Sequence, residues 1–414
     1  MEEAYITLPK GFKANGVSAG MKCSDPANIN KDDPKSSYLD VNLIVSDLPC
    51  DVAGVYTSNL VKGHSLTRSI GIINSGRKVR GIAVNSKVAN ACVGKAGVSD
   101  ADQIASAISE LIPCSSDEIL TASTGVIGTR LPLDKILPVV PGLVSGLSDS
   151  AEAAHNAEYA MMTTDTLPKE VAATLTLKDG KEVTIAGIAK GSGMIHPNLA
   201  TMISVFTTDV KAGRDVLDKA LRSAVAHTFN RVSVDGDTSV CDSVIIMANG
   251  ASGCDEITLD SDDYELFEKA LTGLSEDLAR MIASDGEGAT KFVEITVTGA
   301  ASADDAKLVV TSVARSPLVK TMIFGEDANF GRIITAAGYS GAKFDPEKID
   351  IKLCGLLTCE NGASLAFDEE LAKKLLSEHD LKIDIILHEG CFSDRMYTCD
   401  FSYDYVKING SYRS

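Results

Sequence analysis

The chain has 414 residues, 44% of them hydrophobic and 23% charged, with a formal net charge of −18. That balance describes a globular chain long enough for one large and one small domain. It argues against nucleic acid or an anionic membrane surface as partner, because both would repel the chain, while a small charged substrate stays open because a local basic pocket can sit inside an acidic protein.

In chain order, Leu43-Ile44-Val45 and the span from Ile70 to Val84 read as strand. Ile104, Ile108, Leu111 and Ile112 then recur at helical spacing behind Ser99 and Asp100, either of which can cap. Thr201 to Phe206 has the β-branched and aromatic content of a strand. Two helices follow, one with the apolar stripe Val216, Leu217, Ala220, Leu221, Ala224 and Val225, the other with Leu266, Phe267, Ala270, Leu271, Leu274, Leu278, Met281 and Ile282. Phe292 to Thr298, Leu308 to Ser312, Ile349 to Cys354 and Ile383 to Leu387 read as short strands, with a helix over Leu371 to Leu376. The class is α+β, without internal repeat or low-complexity tract, and a domain boundary is expected near Gly299-Ala300-Ala301-Ser302-Ala303.

The ten cysteines form no C-x-x-C pair, the closest two being Cys354 and Cys359, so reduced and mostly buried thiols are expected rather than a zinc or redox motif. The start Met1-Glu2-Glu3-Ala4-Tyr5 lacks the basic and apolar regions of a secretory signal, and no segment approaches ~18 uninterrupted apolar residues. A cytoplasmic protein is expected, or an organelle-matrix protein whose transit peptide has been removed.

The most informative run is Lys190-Gly191-Ser192-Gly193-Met194-Ile195-His196-Pro197-Asn198-Leu199-Ala200-Thr201-Met202. A flexible Gly-Ser-Gly loop and a Pro-Asn turn lead into small Ala200, and Thr201 opens the strand behind it. Attack of the Thr201 hydroxyl on the Ala200 carbonyl, followed by hydrolysis of the ester, would leave a new chain whose first residue carries both a nucleophile and an α-amine base. An α-amine titrates near ~7.7–8.0, so it accepts a proton at neutral pH where a lysine mostly does not.

This run resembles the processing site of the ornithine acetyltransferase and glutamate N-acetyltransferase family of arginine biosynthesis, whose pattern is close to K-G-S-G-M-I-x-P-N-M-A-T-M with cleavage before the Thr. The resemblance covers nearly the whole chain. It includes Gly11-Phe12-Lys13, Thr124-Gly125-Val126-Ile127-Gly128, Met162-Thr163-Thr164-Asp165-Thr166 and Asn230-Arg231 with Val234-Asp235-Gly236-Asp237-Thr238-Ser239. Further on come Asp285-Gly286-Glu287-Gly288-Ala289-Thr290-Lys291, Asp327-Ala328-Asn329-Phe330-Gly331-Arg332 and Tyr403-Asp404-Tyr405-Val406-Lys407-Ile408-Asn409.

The resemblance implies a layered α/β/β/α-like larger domain, residues 1–299, built from both cleavage fragments, and a smaller C-terminal α+β domain, residues 300–414, whose tail returns to the site. It implies acetyl transfer from N-acetylornithine to glutamate through an acetyl-Thr201 intermediate, releasing ornithine and then N-acetylglutamate. Cleavage falls between Ala200 and Thr201, and the two fragments assemble as a heterotetramer of two α and two β chains. Thr124 and Gly125 match the family's oxyanion hole. Thr164, Lys190, Thr201, Glu287, Asn409 and Ser414 match its substrate contacts. No bound cofactor or metal is implied, and acetyl-CoA as a further donor is left open because mono- and bifunctional members share these motifs.

The residues themselves fit that chemistry. A Gly-bracketed turn such as Thr124 to Gly128 exposes backbone donors suited to a tetrahedral oxyanion. An amino-acid substrate carries a carboxylate and an amine, so its site needs both signs, which Lys190 and Glu287 supply. Asp235-Gly236-Asp237 with Asp242 imitates a cation loop but lacks calcium-hand spacing, and reads as a hydrogen-bonded turn. His196 reads as a plain loop residue. A related N-terminal-nucleophile aminopeptidase or amidase, with water in place of glutamate, is the alternative within the fold, and a binding protein that never cleaves is the alternative outside enzymes. Four residues depart from the family pattern: Lys87-Val88 stands where Gly-Asn is common, Leu199 where Met is, and Ser414 where Thr is.

Overall fold

The computed structural model describes residues 3–22, 38–196 and 202–411. The strands up to residue 248 are β1 (Phe12–Val17), β2 (Val41–Tyr56), β3 (Val79–Asn85), β4 (Ile119–Ser123), β5 (Glu170–Thr176), β6 (Glu182–Lys190), β7 (Ile203–Thr208), β8 (Val232–Ser233) and β9 (Ser243–Ala248). They are followed by β10 (Phe292–Ala300), β11 (Asp350–Leu353), β12 (Leu356–Glu360), β13 (Ala363–Ser364), β14 (Asp380–Ile386) and β15 (Phe392–Cys399). The α-helices are α1 (His64–Asn74), α2 (Ala96–Ser109), α3 (Leu133–Ile136), α4 (Val140–Ser145), α5 (Ala151–Met161), α6 (Arg214–His227), α7 (Asp262–Ser284), α8 (Ala303–Ala314), α9 (Pro317–Phe324), α10 (Phe330–Gly338), α11 (Glu369–Leu376) and α12 (Tyr403–Ser411).

The first sheet runs β4-β3-β2-β9-β7-β6-β5, with β1 also paired to β2. Strand β2 is long enough to serve two partners in turn: up to Cys50 it pairs with β3, and from Asp51 onward with β9. The two halves of the sheet fold toward each other about this strand. Ile44, Ile82, Val84 and Leu120 of one half share a core with Ile188, Val205, Ile245 and Met247 of the other. Alternate residues face outward because side chains switch face at every residue. Leu43 and Val45 meet Ile104, Ile108 and Leu143 of α2 and α4, while Ile185, Phe206, Val244 and Ile246 meet α6 and α7. This is the expected α/β/β/α layering, with material from both sides of residue 200.

The second sheet runs β13-β12-β11-β14-β10-β15-β8. Strand β10 divides its residues between two cores: Val293, Ile295 and Val297 pack with α8 to α10, and Phe292 joins Tyr397 and Cys399 against α7. The expected boundary at 299 therefore falls at the end of a strand that pairs with β14 and β15, and β8 reaches the same sheet from position 232.

All six stripe residues of α6 are buried. In α7 the stripe holds at Phe267, Leu271, Leu274, Leu278 and Ile282, while Leu266 and Met281 lie at its exposed edge. Three local expectations are corrected. Leu308 to Ser312 is helical, inside α8, because the Ser302 hydroxyl caps the Asp305 N–H, Asp304 and Asp305 occupy the first turn, and Ala306, Val309, Val310 and Val313 are buried at helical spacing. The first residues of Ile70–Val84 belong to α1, whose Leu66, Ser69, Ile72 and Ile73 are buried in the same manner. Ser99 and Asp100 do not cap α2, which begins at Ala96; the buried Asp100 carboxylate instead pairs with Arg130, whose Nε lies 2.9 Å away. The nine described cysteines are free, and five of them are buried. No helix among the described residues is long and apolar enough to cross a membrane.

Candidate active site

The Thr124-Gly125 turn leaves the end of β4 beside the end of β3. The Thr124 N–H donates to Asn85 O (3.0 Å) and the Val126 N–H to Lys87 O (2.9 Å), which locks the turn against the 85–88 segment. With its backbone N–H so used, Thr124 has its hydroxyl to offer, and no described residue accepts from that hydroxyl or from the Gly125 N–H. Gly125 has φ +126°, and a Cβ there would lie 2.2 Å from the Lys87 carbonyl carbon, so only glycine fits. Lys87 itself has φ +75°. The departure from the family pattern therefore puts a long side chain where the backbone favours glycine, at a cost of about 1 kcal/mol. Part of that cost is offset because glycine is freer in the unfolded chain. Lys87→Gly is expected to raise stability by about 0.5 kcal/mol, read as a higher urea midpoint at unchanged slope.

The 190–196 segment, expected to be flexible, is pinned. Lys190 ends β6 and pairs with Ile203 of β7. The Gly191 N–H donates to Asp165 Oδ1 (2.5 Å), the buried Ser192 hydroxyl donates to Asp285 O (2.7 Å), and Asp235 accepts from the N–H groups of Met194 (2.5 Å) and Ile195 (2.9 Å). Asp235 also accepts from the Asp237 N–H (3.2 Å), the hydrogen-bonded turn read from the sequence. Its burial, only partly offset by these donors, raises its pKa to about 6. His196 Nδ1 lies 3.0 Å from Ser233 Oγ, and burial first, then the Arg315 cation, lowers its pKa.

Ala200, Thr201 and Ser414 lie outside the described residues, as does Leu199. The strand behind position 201 is described. The Met202 N–H donates to Asp242 Oδ1 (3.1 Å) and the Ser243 N–H to Met202 O (3.0 Å), holding the backbone of Met202 at both its N–H and its carbonyl. Asp242 is fully buried, and burial drives its pKa well above the carboxylate range against the opposing pull of the Met202 N–H and the Lys190 cation.

Between these elements lies a cavity of about 210 Å³ lined by Thr124, Gly125, Thr164, Lys190, Glu287 and Asn409, with Gly193, Cys241 and Tyr405 among its other walls. All the described candidates converge there. The two charges expected to meet the substrate are buried, Lys190 at 2% and Glu287 at 8% exposure. Glu287 is fixed from three directions. Its N–H donates to Ser192 O (3.0 Å), the Asn409 amide donates to its Oε2 (2.7 Å), and Gly193 packs so closely that a Cβ would sit 2.3 Å from the carboxylate. Helix α12 thus brings the tail back to the site through Asn409.

A second cavity of about 840 Å³ opens on the other side of the Gly286–Gly288 loop, lined by Asp285, Phe292, His379 and Lys407 among others. It contains none of the candidates. The smaller cavity is the better match to an amino-acid substrate, because it holds one buried charge of each sign next to an oxyanion-type turn, whereas clefts of ~300–1,000 Å³ suit larger ligands.

Sequence reading passed over Asp165, Lys169 and Asp285, whose carboxylates and ammonium bond one another behind the site, Lys169 and Asp285 on the side of the second cavity, and it set Asp242 aside. Asp165 and Asp285 stood within quoted motifs, but a motif does not reveal which backbone N–H groups a carboxylate will accept.

The ArgJ family model matches residues 26–414 of the chain. The arginine biosynthesis bifunctional protein ArgJ of Caldanaerobacter subterraneus subsp. tengcongensis is 44% identical over 416 residues, covering 100% of this chain and 99% of that protein. The arginine biosynthesis bifunctional protein ArgJ 1 of Clostridium acetobutylicum is 44% identical over 413 residues, covering 99% of this chain and 97% of its own. A crystal structure of ornithine acetyltransferase complexed with ornithine, from Mycobacterium tuberculosis, is 34% identical, covers 48% of this chain and 96% of that one, and gives a TM-score of 0.40.

Proposed function

The chain belongs to the ArgJ family of arginine-biosynthesis acyltransferases, and on that premise we propose that it moves an acetyl group from N-acetylornithine to glutamate through Thr201. The observation that carries this reading is the single cavity in which buried Lys190 and Glu287 face the Thr124-Gly125 turn.

In the first half-reaction the Thr201 α-amine takes the hydroxyl proton as Oγ attacks the acetyl carbonyl. Negative charge develops on the carbonyl oxygen, where the Thr124 hydroxyl and the Gly125 N–H stabilise it. Collapse breaks the C–N bond, ornithine leaves with the proton, and an acetyl ester remains on Thr201. Glutamate then attacks the ester, and N-acetylglutamate departs as the hydroxyl is restored. Lys190 meets the substrate carboxylate and Glu287 its ammonium, with Thr164, Asn409 and Ser414 completing the contacts. One subsite serves both amino acids because the first product leaves before the second binds, so the kinetics are ping-pong. The amine supplies the base, and the chemistry needs no bound cofactor or metal.

The same reading extends to self-cleavage between Ala200 and Thr201. Fragments 1–200 and 201–414 stay associated as two α and two β chains in the cytoplasm. The relatives are named bifunctional, which supports acetyl-CoA as a second donor to glutamate.

Purified protein supplied with glutamate and either N-acetylornithine or acetyl-CoA tests the proposal. N-acetylglutamate should form with both donors. Deacetylation that does not depend on glutamate would favour an amidase instead. Ending the chain after Lys407 removes Asn409 and is expected to raise KM for glutamate at least tenfold, because Glu287 loses its partner and the pocket loses a wall. Cleavage into two fragments should persist, and full transfer activity in that truncation would exclude the tail from the site.

A further inference from the structure

Lys169 stands just before β5 with its side chain in the protein interior, 1% exposed. Its ammonium donates to Asp165 Oδ1 (2.8 Å), Asp285 Oδ2 (2.6 Å) and Leu167 O (3.3 Å), so all three donor positions are used. What else these two carboxylates accept distinguishes the group from an ordinary core ion pair. Asp165 takes the N–H of Thr163 (2.9 Å), the residue before Thr164, and the N–H of Gly191 (2.5 Å), the residue after Lys190. Asp285 takes the N–H of Thr166 (3.0 Å) and its hydroxyl. The Asp285 carbonyl takes the Ser192 hydroxyl (2.7 Å), and the Ser192 carbonyl takes the Glu287 N–H (3.0 Å). Thr164 and Lys190 are thus each one residue from an atom bonded to the group, and Glu287 is two residues from Asp285 and joined to it through Ser192. The ties cross position 200, with two members on one side and Asp285 on the other.

We infer that Asp165, Lys169 and Asp285 are positioning residues that set the spacing of Thr164, Lys190 and Glu287, and so determine how well the amino-acid substrates bind. The inference rests on the assignment of the cavity to those substrates. Fixed spacing matters because a carboxylate and an ammonium on one molecule must meet two protein charges at once, and each charge out of place loses its partner in a poorly solvated pocket. The electrostatics agree. Burial opposes ionisation of Asp165, but the cations of Lys169 and then Lys190 outweigh it and hold the carboxyl below its usual range. The oxyanion turn is pinned separately, through Asn85 and Lys87, so disturbing the tie should affect binding more than the chemical step.

Steady-state kinetics of the full-length, self-cleaved enzyme test this with Lys169→Met, which removes the charge and keeps the bulk, and Lys169→Arg, which keeps the charge. Lys169→Met is expected to raise KM for both N-acetylornithine and glutamate at least tenfold while kcat falls less than threefold, and Lys169→Arg should lie closer to wild type. KM within twofold of wild type in the Lys169→Met enzyme, or a kcat loss at unchanged KM, overturns the inference. If that variant does not fold, Thr166→Val decides. It removes only the hydroxyl bonded to Asp285, and KM for glutamate should rise about threefold; an unchanged KM overturns the inference. A wild-type enzyme that transfers no acetyl group overturns both this inference and the substrate assignment beneath it, whereas a competent wild type with indifferent variants overturns the tie alone.

Discussion

Thr201→Ala is expected to yield one uncut 414-residue chain with no measurable transfer. Both reactions require the same oxygen: the cut needs it to attack the Ala200 carbonyl, and transfer needs it to carry the acetyl group. The variant would also lack the α-amine, which exists only after the cut, so nucleophile and base disappear together. Loss of a lone nucleophile costs on the order of 10⁶ in kcat in a protease where it has been measured. Thr201→Ser keeps the hydroxyl and should still cut and transfer, at lower rates. The flanking geometry supports the comparison, since Met202 is held through its own backbone N–H and carbonyl by Asp242 and Ser243. Intact mass and N-terminal sequencing read the cut. An active preparation of wild type with no new N-terminal threonine would reject the mechanism outright.

Thr124→Ala is expected to lower kcat by roughly 10²–10³ with little change in KM, the equivalent of about 2.7–4 kcal/mol for one oxyanion donor. The reason is differential binding: the hydroxyl meets a nearly neutral carbonyl oxygen in the ground state and an oxyanion in the transition state. The turn itself should survive, because its hydrogen bonds to Asn85 and Lys87 use the backbone. Thr124→Ser should restore most of the rate. Unchanged kcat with weakened binding would reject the role and make Thr124 a ground-state contact. The contrast with Lys169→Met, where KM should carry the change, separates the oxyanion turn from the buried tie behind the site.

The candidate residues were legible because they sit in short runs that match the family's motifs. Thr124-Gly125, Lys190 and Glu287 were each singled out from a glycine-flanked motif, and all line one cavity. What stayed hidden were the groups that act on backbone. Asp165 matters here for accepting the Thr163 and Gly191 N–H groups, and no side-chain pattern encodes which amides a carboxylate will find. The Gly-Ser-Gly run illustrates the same limit: its composition predicts mobility, yet Ser192 is buried and bonded to Asp285, and Gly193 is there because Glu287 leaves no room for a Cβ.

By itself the sequence determined what depends on local period: the buried stripes of α6 and α7 and the strand over 292–298. It failed where a short apolar stretch suited two structures. Leu308 to Ser312 is β-branched enough for a strand, and only the Ser302 cap and the packing of Val309, Val310 and Val313 settled it as helix. Tertiary structure alone decided that β2 bends to serve both halves of one sheet, that β8 and β10 join strands more than eighty residues further on, and that Lys190, Glu287 and Asn409 line one cavity. The physical reason is that periodicity specifies which face of an element is apolar but not which partner will cover it. That choice comes from the simultaneous burial of all the faces and from the demand that every buried charge find a partner, which here draws Lys169 between Asp165 and Asp285.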